Sequence, residues 1–307
     1  MQVYVIAGPT ASGKTAVAIR LAKLVGGEVV SADSMQVYRG MDIGTAKPTE
    51  EEMQCVPHHL LNVLCPSEDF SAAKYKRLAE AAIADIRARG KVPILAGGTG
   101  FYINAVLFDA DFGSACKAAA DEMKSRLLQE AAESGTESLH ARLREADPDS
   151  AKAIHKNNVR RVAAALAHFY LTGERLSAHN SRERLKPPRW ETVFFLLDMP
   201  RSLLYERIDA RALLMLECGL VEETERLIGQ GFAAAKPMQG IGYKEAGLYI
   251  GGVISKDEMT ARIQQATRNY AKRQVTWFKN QAPWANVVDA RGCAGEIAAG
   301  ISFSHGS

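Results

Sequence analysis

No uninterrupted apolar stretch in this chain approaches the roughly 18 residues that a bilayer-spanning helix needs, so membrane insertion is excluded as an expectation. Cysteine is scarce, and Cys55, Cys65, Cys116, Cys218 and Cys293 form no C-x-x-C pair. An odd, scattered set of five argues against both a disulfide framework and a zinc site, and points to a reducing compartment. His155 and the pair His58-His59 lack partners at zinc-ligand spacing, which leaves them structural or hydrogen-bonding roles. Internal repeats and low-complexity tracts are missing as well. An apolar run begins at Val3 and a glycine-rich loop at Gly8, leaving no room for an export signal, so a cytoplasmic protein is expected.

What remains is a globular composition, 47% hydrophobic over 307 residues, enough for one large domain with an insertion or for two domains. The net charge of +3 hides an uneven distribution. Between Ala151 and Trp190 stand Lys152, Lys156, Arg160, Arg161, Arg175, Arg182, Arg184, Lys186 and Arg189 against Glu174 and Glu183 alone. From Met259 to Val288 there are Arg262, Arg268, Lys272, Arg273 and Lys279 and no acid. Two basic segments of this kind suit a polyanionic partner.

Short β-rich runs at Val3 to Ala7, Glu28 to Ala32, Val92 to Ala96, Val193 to Asp198 and Asn286 to Asp289 alternate with helical periodicity. The pattern predicts an α/β fold, a P-loop NTPase-like parallel sheet flanked by helices. From Gly113 to His179 the β signal disappears into Ala-, Glu- and Arg-rich helical sequence. Residues 1–112 and 180–307 therefore form the expected catalytic core and 113–179 an all-helical insertion domain. A last long helix is predicted from Lys256 to Gln281.

Gly8-Pro9-Thr10-Ala11-Ser12-Gly13-Lys14-Thr15 fits the phosphate-loop pattern G-x-x-x-x-G-K-[ST] between a predicted strand and a predicted helix. Its backbone N–H groups can point at phosphate oxygens, Lys14 adds a mobile charge, and the Thr15 hydroxyl is placed to ligate Mg²⁺. Asp33 closes the second strand. Because ligands in open α/β sheets collect beyond the carboxyl ends of strands, Gly8, Asp33 and Thr99 are expected to converge on one crevice. Position alone leaves Asp33 open as a turn cap, a general base or a metal partner.

The P-loop, followed by the run from Ala32 to Pro48 that opens Asp33-Ser34-Met35-Gln36, resembles the tRNA dimethylallyltransferase (tRNA isopentenylpyrophosphate transferase) family. Pro57-His58-His59-Leu60, Gly97-Gly98-Thr99-Gly100, Gly240-Ile241-Gly242-Tyr243-Lys244-Glu245 and the run from Thr267 to Phe278 extend the resemblance over most of the chain. It implies transfer of a dimethylallyl group from dimethylallyl diphosphate to N6 of the adenine just 3′ of the anticodon, adenine 37. Gly8 to Thr15 would hold the diphosphate with Mg²⁺ on Thr15, while Asp33, Thr10, Lys14 and Arg211 would be catalytic.

The same resemblance implies a tRNA anticodon stem-loop as partner. Asp33, Ser34, Met35, Gln36, Thr99, Asn157, Arg160, Arg161, Lys272, Arg273, Gln274, Thr276 and Lys279 are the residues it places on tRNA, in a monomeric enzyme. Tyr270, Trp277 and Phe278 read as core packing. Where related sequences continue Arg-Ala-Leu-Glu, this chain has Ala164-Ala165-Leu166-Ala167. The competing readings are an isopentenyltransferase acting on free AMP, ADP or ATP, a P-loop small-molecule kinase, and a non-catalytic RNA-binding module.

Overall fold

A computed structural model describes residues 2–109, 114–184 and 186–291, excluding the side chains of 114–118, 183 and 184. The Cys116 and Arg184 side chains, Cys293 and the expected boundary at Gly113 lie outside the described residues. The chain divides into two compact units, Met1–Leu107 with Pro188–Ser307, and Phe108–Pro187.

The first unit is built on a sheet whose strands are β1 (Val3–Ala7), β2 (Gly27–Ser31), β3 (His58–His59), β4 (Val92–Gly97), β5 (Thr192–Asp198) and β6 (Asn286–Asp289). Their spatial order is β3-β2-β4-β1-β5-β6 and every pairing is parallel. Each residue of β1 is buried, as a strand covered on both faces requires, so Val3-Tyr4-Val5-Ile6-Ala7 reads apolar throughout instead of alternating. Ala7 pairs with Gly97 and Ser31 with Ala96, which brings the loops leaving β1, β2 and β4 to one edge of the sheet. The two-residue β3 is too short for a periodic signal.

Helices α1 (Lys14–Val25), α2 (Glu50–Met53), α3 (Ala72–Ala88) and α4 (Gly100–Leu107) belong to this unit. Tyr4, Ile6 and Ile94 of the sheet pack against Val17, Ile19 and Leu21 of α1 in one apolar cluster. A second cluster joins Val37, Tyr38 and Met41 of the loop after β2 to the C-terminal helices of the unit.

The second unit consists of α5 (Ser114–Ser134), α6 (Thr136–Ala146), α7 (Pro148–Ala153), α8 (Val159–Thr172) and α9 (Leu176–Arg184). Leu127, Leu139, Leu143, Val162 and Leu166 form its core. Asp147, fully buried, organises it: its carboxylate accepts the Ser150 N–H and hydroxyl and also the Ser177 N–H at 2.9 Å and hydroxyl at 2.6 Å. Burial opposes its charge, yet these donors together hold the carboxyl down at about 2. Since α9 runs through residue 179, the return to the sheet expected at 180 falls inside a helix.

The chain then continues in the first unit with α10 (Arg201–Glu217), α11 (Leu220–Leu227), α12 (Tyr243–Ile250) and α13 (Lys256–Gln281). Ser255 caps α13 by accepting the Glu258 N–H, and Asp257 and Glu258 complement the dipole at its first turn. Among the described residues, no helix is long and apolar enough to cross a membrane.

Candidate active site

Gly13 stands just before α1 in the left-handed region at φ 85°, and Ala11 also takes a left-handed φ, of 62°. Those turns wrap the loop backbone into an anion-binding concavity. No side chain caps α1, so its first N–H groups are left for a ligand at the positive end of the helix dipole. Lys14 Nζ donates to the Pro9 carbonyl at 2.6 Å. Burial pulls the Lys14 ammonium down to about 8, with Asp33 opposing and Arg211 adding to that shift.

A small polar cleft of about 90 Å³ is lined by Thr10, Lys14, Thr15, Asp33, Arg211 and Tyr270, among others. A larger cleft of about 310 Å³ shares Thr10, Asp33, Arg211 and Tyr270 and adds the apolar walls Met35, Ile208, Met215, Ile241 and Ile263. The Arg211 guanidinium donates to the Thr10 hydroxyl at 3.3 Å, and burial lowers its pKa against the attraction of Asp33.

Asp33 Oδ1 accepts the Met35 N–H at 2.8 Å and the Gln36 N–H at 3.3 Å, the geometry of an Asx turn. Its other oxygen has no hydrogen-bond partner among the described residues. Asp33 is therefore held by one oxygen and offers the second at the junction of the two clefts.

The loop after β2 is fixed from beneath. Glu223, buried on α11, accepts the N–H groups of Asp42, Ile43 and Gly44 at 3.0 to 3.1 Å and the Tyr243 hydroxyl at 2.6 Å. Lys47, also buried, donates to the Tyr38 carbonyl and to Asn62 and Asp42. A Cβ on Gly44 would overlap the Tyr243 ring, which explains why the motif from Gly240 to Glu245 accompanies the one from Ala32 to Pro48.

Several side chains expected on tRNA are engaged within the protein, Gln36 and Gln274 along the small polar cleft. Gln274 is buried: its Oε1 accepts the Thr10 N–H at 2.8 Å and its Nε2 donates to the Gly98 carbonyl at 2.9 Å, so the amide is engaged inside the protein. Gln36 uses its amide locally, accepting from the Ser31 hydroxyl and donating to the carbonyls of Thr45 and Ala46. The Thr99 hydroxyl is enclosed beside the Tyr270 hydroxyl. Tyr270, read from sequence as core, lines both clefts, and burial with nearby Asp33 pushes its hydroxyl up to about 12. Phe278 is core, and Trp277 packs on Gly100, where a Cβ would overlap its ring.

A signal for Gln274 was present. Met259, Ile263, Ala271 and Phe278 mark the buried face of α13, and the 3.6-residue period puts 274 on it.

Other residues keep exposed positions. Lys272, Thr276 and Lys279 lie on the outer face of α13, while Arg273, also exposed, lines the larger cleft and stands over the Tyr270 ring at 5.6 Å. Asn157, Arg160 and Arg161 are exposed in the helical unit, and neither arginine pairs with an acid among the described residues. The basic count around them is reduced by folding, because Lys152 pairs with Asp149, Lys156 with Glu137, Arg182 with Glu174 and Arg189 with Glu80. Ala167 is buried and Ala164 half-buried on α8, so neither position presents a side chain freely to solvent. The pair His58-His59 serves the sheet edge, with His58 Nδ1 donating to the Val56 carbonyl and His59 bonded to Glu28 at 2.7 Å.

A sequence model described as IPP transferase matches residues 36–281. The tRNA dimethylallyltransferase of Acetivibrio thermocellus is 47% identical over 279 residues, covering 90% of this chain and 88% of that protein. The protein of the same name from Geobacillus thermodenitrificans is 47% identical over 291 residues, covering 94% and 91%. The crystal structure of the Staphylococcus epidermidis tRNA delta(2)-isopentenylpyrophosphate transferase superposes with a TM-score of 0.73 at 40% identity over 99% of each chain. A eukaryotic dimethylallyltransferase acting on tRNA gives 0.76 at 30% identity over 94% of this chain and 74% of its own. The matched span takes in the loop after Asp33 from Gln36 onward, the helical unit and the whole of α13, and the chain belongs to the IPP transferase family.

Proposed function

We propose that the protein transfers a dimethylallyl group from dimethylallyl diphosphate to N6 of adenine 37 in tRNA, giving N6-isopentenyladenosine and diphosphate. One observation carries the reading: the free oxygen of Asp33 stands where a phosphate-binding cleft meets a larger, largely apolar one. A kinase would need its acceptor hydroxyl there, whereas Met35, Ile208, Met215 and Ile241 suit a branched hydrocarbon. The names of the relatives favour tRNA over free adenylates as acceptor.

In this reading Lys14 and the loop N–H groups left unengaged among the described residues, those of Ala11, Gly13, Lys14 and Thr15, hold the diphosphate, while the Thr10 and Ser12 N–H groups bond within the protein, and Arg211 joins them through its place beside Thr10. The adenine N6 lone pair is delocalised into the ring and makes a weak nucleophile. As the N6–C1 bond forms, the C1–O bond breaks and its electron pair leaves on the diphosphate. Asp33 accepts the proton that N6 loses, help worth about 10²–10⁴ in rate. Lys14 and Arg211 answer the charge growing on the leaving oxygens.

Thr15 lines the same polar cleft, and a hydroxyl beside diphosphate oxygens and water suits the oxygen preference of Mg²⁺. Thr15 would hold that ion, which would supply further positive charge to the leaving group when bound. Asn157, Arg160 and Arg161 of the insertion, with Lys272, Arg273, Thr276 and Lys279, would meet the anticodon stem-loop, while Ser34 and Met35 would face its extruded base. The setting is a cytoplasmic, monomeric enzyme.

The test offers labelled dimethylallyl diphosphate with unmodified tRNA, with free AMP, or alone, each with and without Mg²⁺. Label should enter tRNA alone and at a single adenine. Label confined to AMP, or to neither acceptor, would sink the reading.

A further inference from the structure

Three side chains of the helical unit bring candidate ligand atoms close together. His168 lies on α8, Glu174 follows the glycine that caps it, and His179 lies on α9. One ligand atom from each lies within 4.8 Å of the other two, and His179 Nδ1 is 3.6 Å from Glu174 Oε2. A tetrahedral shell with bonds of about 2.0–2.1 Å has ligand atoms about 3.3 Å apart, so closure needs shifts of at most about 1.5 Å.

The chemistry of the set matches its geometry. Two imidazoles and one carboxylate are ligands that zinc accepts, with water completing four-coordination. His168 Nε2 is buried and has no hydrogen-bond partner among the described residues.

A cation already answers these groups. The Arg182 guanidinium donates to Glu174 at 2.6 and 3.2 Å and to His179 Nδ1 at 3.3 Å, so it occupies two of the three ligands. Its side chain is largely exposed and can swing into solvent. Asp147 anchors α9 at Ser177, two residues before His179, so the scaffold holds without the arginine.

We propose that His168, Glu174 and His179 form a three-ligand site for a divalent transition metal of the zinc class, with Arg182 as the group that the metal displaces. Binding would tie the end of α8 to α9. The site lies outside the transfer chemistry and does not depend on the reaction proposed above.

The experiment uses the full-length protein, stripped with a chelator and titrated with Zn²⁺ or Co²⁺ alone. One equivalent should bind, and Co²⁺ should show visible d–d bands without a sulfur-to-cobalt charge-transfer band. His179→Gln should weaken binding by at least about tenfold, at least the cost of losing an outer-shell partner. Arg182→Gln should tighten it several-fold, because it removes the competing cation while leaving the ligands. Circular dichroism of each variant, with His168→Gln as a second ligand test, separates ligand loss from unfolding.

Lack of saturable binding, or unchanged affinity in folded His179→Gln and His168→Gln, would overturn the site. So would a charge-transfer band, since the metal would then sit on cysteine thiols and not on the two imidazoles and the carboxylate. Weaker or unchanged binding in Arg182→Gln would overturn the displacement.

Discussion

Gln274 holds the Thr10 amide at 2.8 Å across a sequence separation of 264 residues, and the other end of its side chain holds the Gly98 carbonyl. The terminal helix thereby fixes the start of the phosphate loop against the turn after β4. A Cβ at Gly98 would overlap the Gln274 amide, so the glycine is required for this approach. Gln274→Met should lower kcat/KM for the prenyl donor by about 10²-fold, as expected when a reacting group is displaced by an ångström or so. Affinity for tRNA should stay nearly constant; a matching loss of tRNA affinity in a binding titration would return Gln274 to the RNA surface.

Asp33 is held through Oδ1 alone, so Asp33→Asn can keep both backbone hydrogen bonds while losing the proton acceptor. Turnover should fall by about 10²–10⁴. A filter-binding measurement should find tRNA affinity within about threefold of wild type, because no charge that faces RNA phosphate has been added. Equal losses in both assays would make Asp33 a positioning residue for the base.

Lys14 sets a pH dependence whose sign follows from its lowered pKa. Below about 8 the side chain is protonated and attracts diphosphate; above it the free protein loses that charge. The bound anion favours the protonated form, so the donor dissociation constant should rise with pH above about 8, by up to about tenfold per unit. Lys14→Met should bind weakly at all pH values and lose this slope. Calorimetric titration with inorganic diphosphate reads the effect without turnover, and a wild-type constant that stays flat through pH 9 would exclude the assignment.

Much of this arrangement can be read in the sequence, and the exceptions share a cause. The runs Val3 to Ala7 and Asn286 to Asp289 and the helix Lys256 to Gln281 have the bounds that apolar patterning and caps predict. A local pattern does not report which distant group meets a polar side chain. Gln274 looks like an RNA-facing amide until Thr10 and Gly98 are brought to it, and Tyr270 looks like core until the clefts open beside it. Charge counting along the chain likewise does not show that Lys152, Lys156 and Arg189 pair with Asp149, Glu137 and Glu80, acids that lie outside the counted window. Glu223 carried no signal at all, because its acceptors' partners are the backbone of a loop about 180 residues away.

The exposed cations left on α13 should act additively and without regard to base identity. Lys272→Ala should weaken tRNA binding and reduce the slope of log K against log salt by about one. Arg160→Ala in the helical unit should do the same. Thr276, whose hydroxyl is bonded to the Lys272 carbonyl, should leave the slope unchanged when replaced by Val. A Lys272→Ala slope equal to wild type would remove this face from the phosphate contacts.

Glu28 tests the sheet edge independently of the reaction. Its buried carboxylate pairs with Arg89, at 2.7 Å through one guanidinium nitrogen, and with His59, also at 2.7 Å. Hydrogen bonding to Arg89 is the largest cause that holds this carboxyl down at about 2, with burial opposing and His59 assisting. A carboxyl depressed on folding contributes stability that is fully present above the unfolded value of about 4.5 and is lost as pH falls toward 2. The shift alone corresponds to about 3 kcal/mol, but Arg89 is 44% exposed, and solvent screening reduces the expected contribution to about 1–2 kcal/mol. Glu28→Gln should therefore be less stable than wild type by that amount at neutral pH in urea denaturation, with the gap closing between pH 4.5 and 2. A gap that persists unchanged to pH 2 would mean that packing at the edge, and not ionisation of Glu28, accounts for the difference.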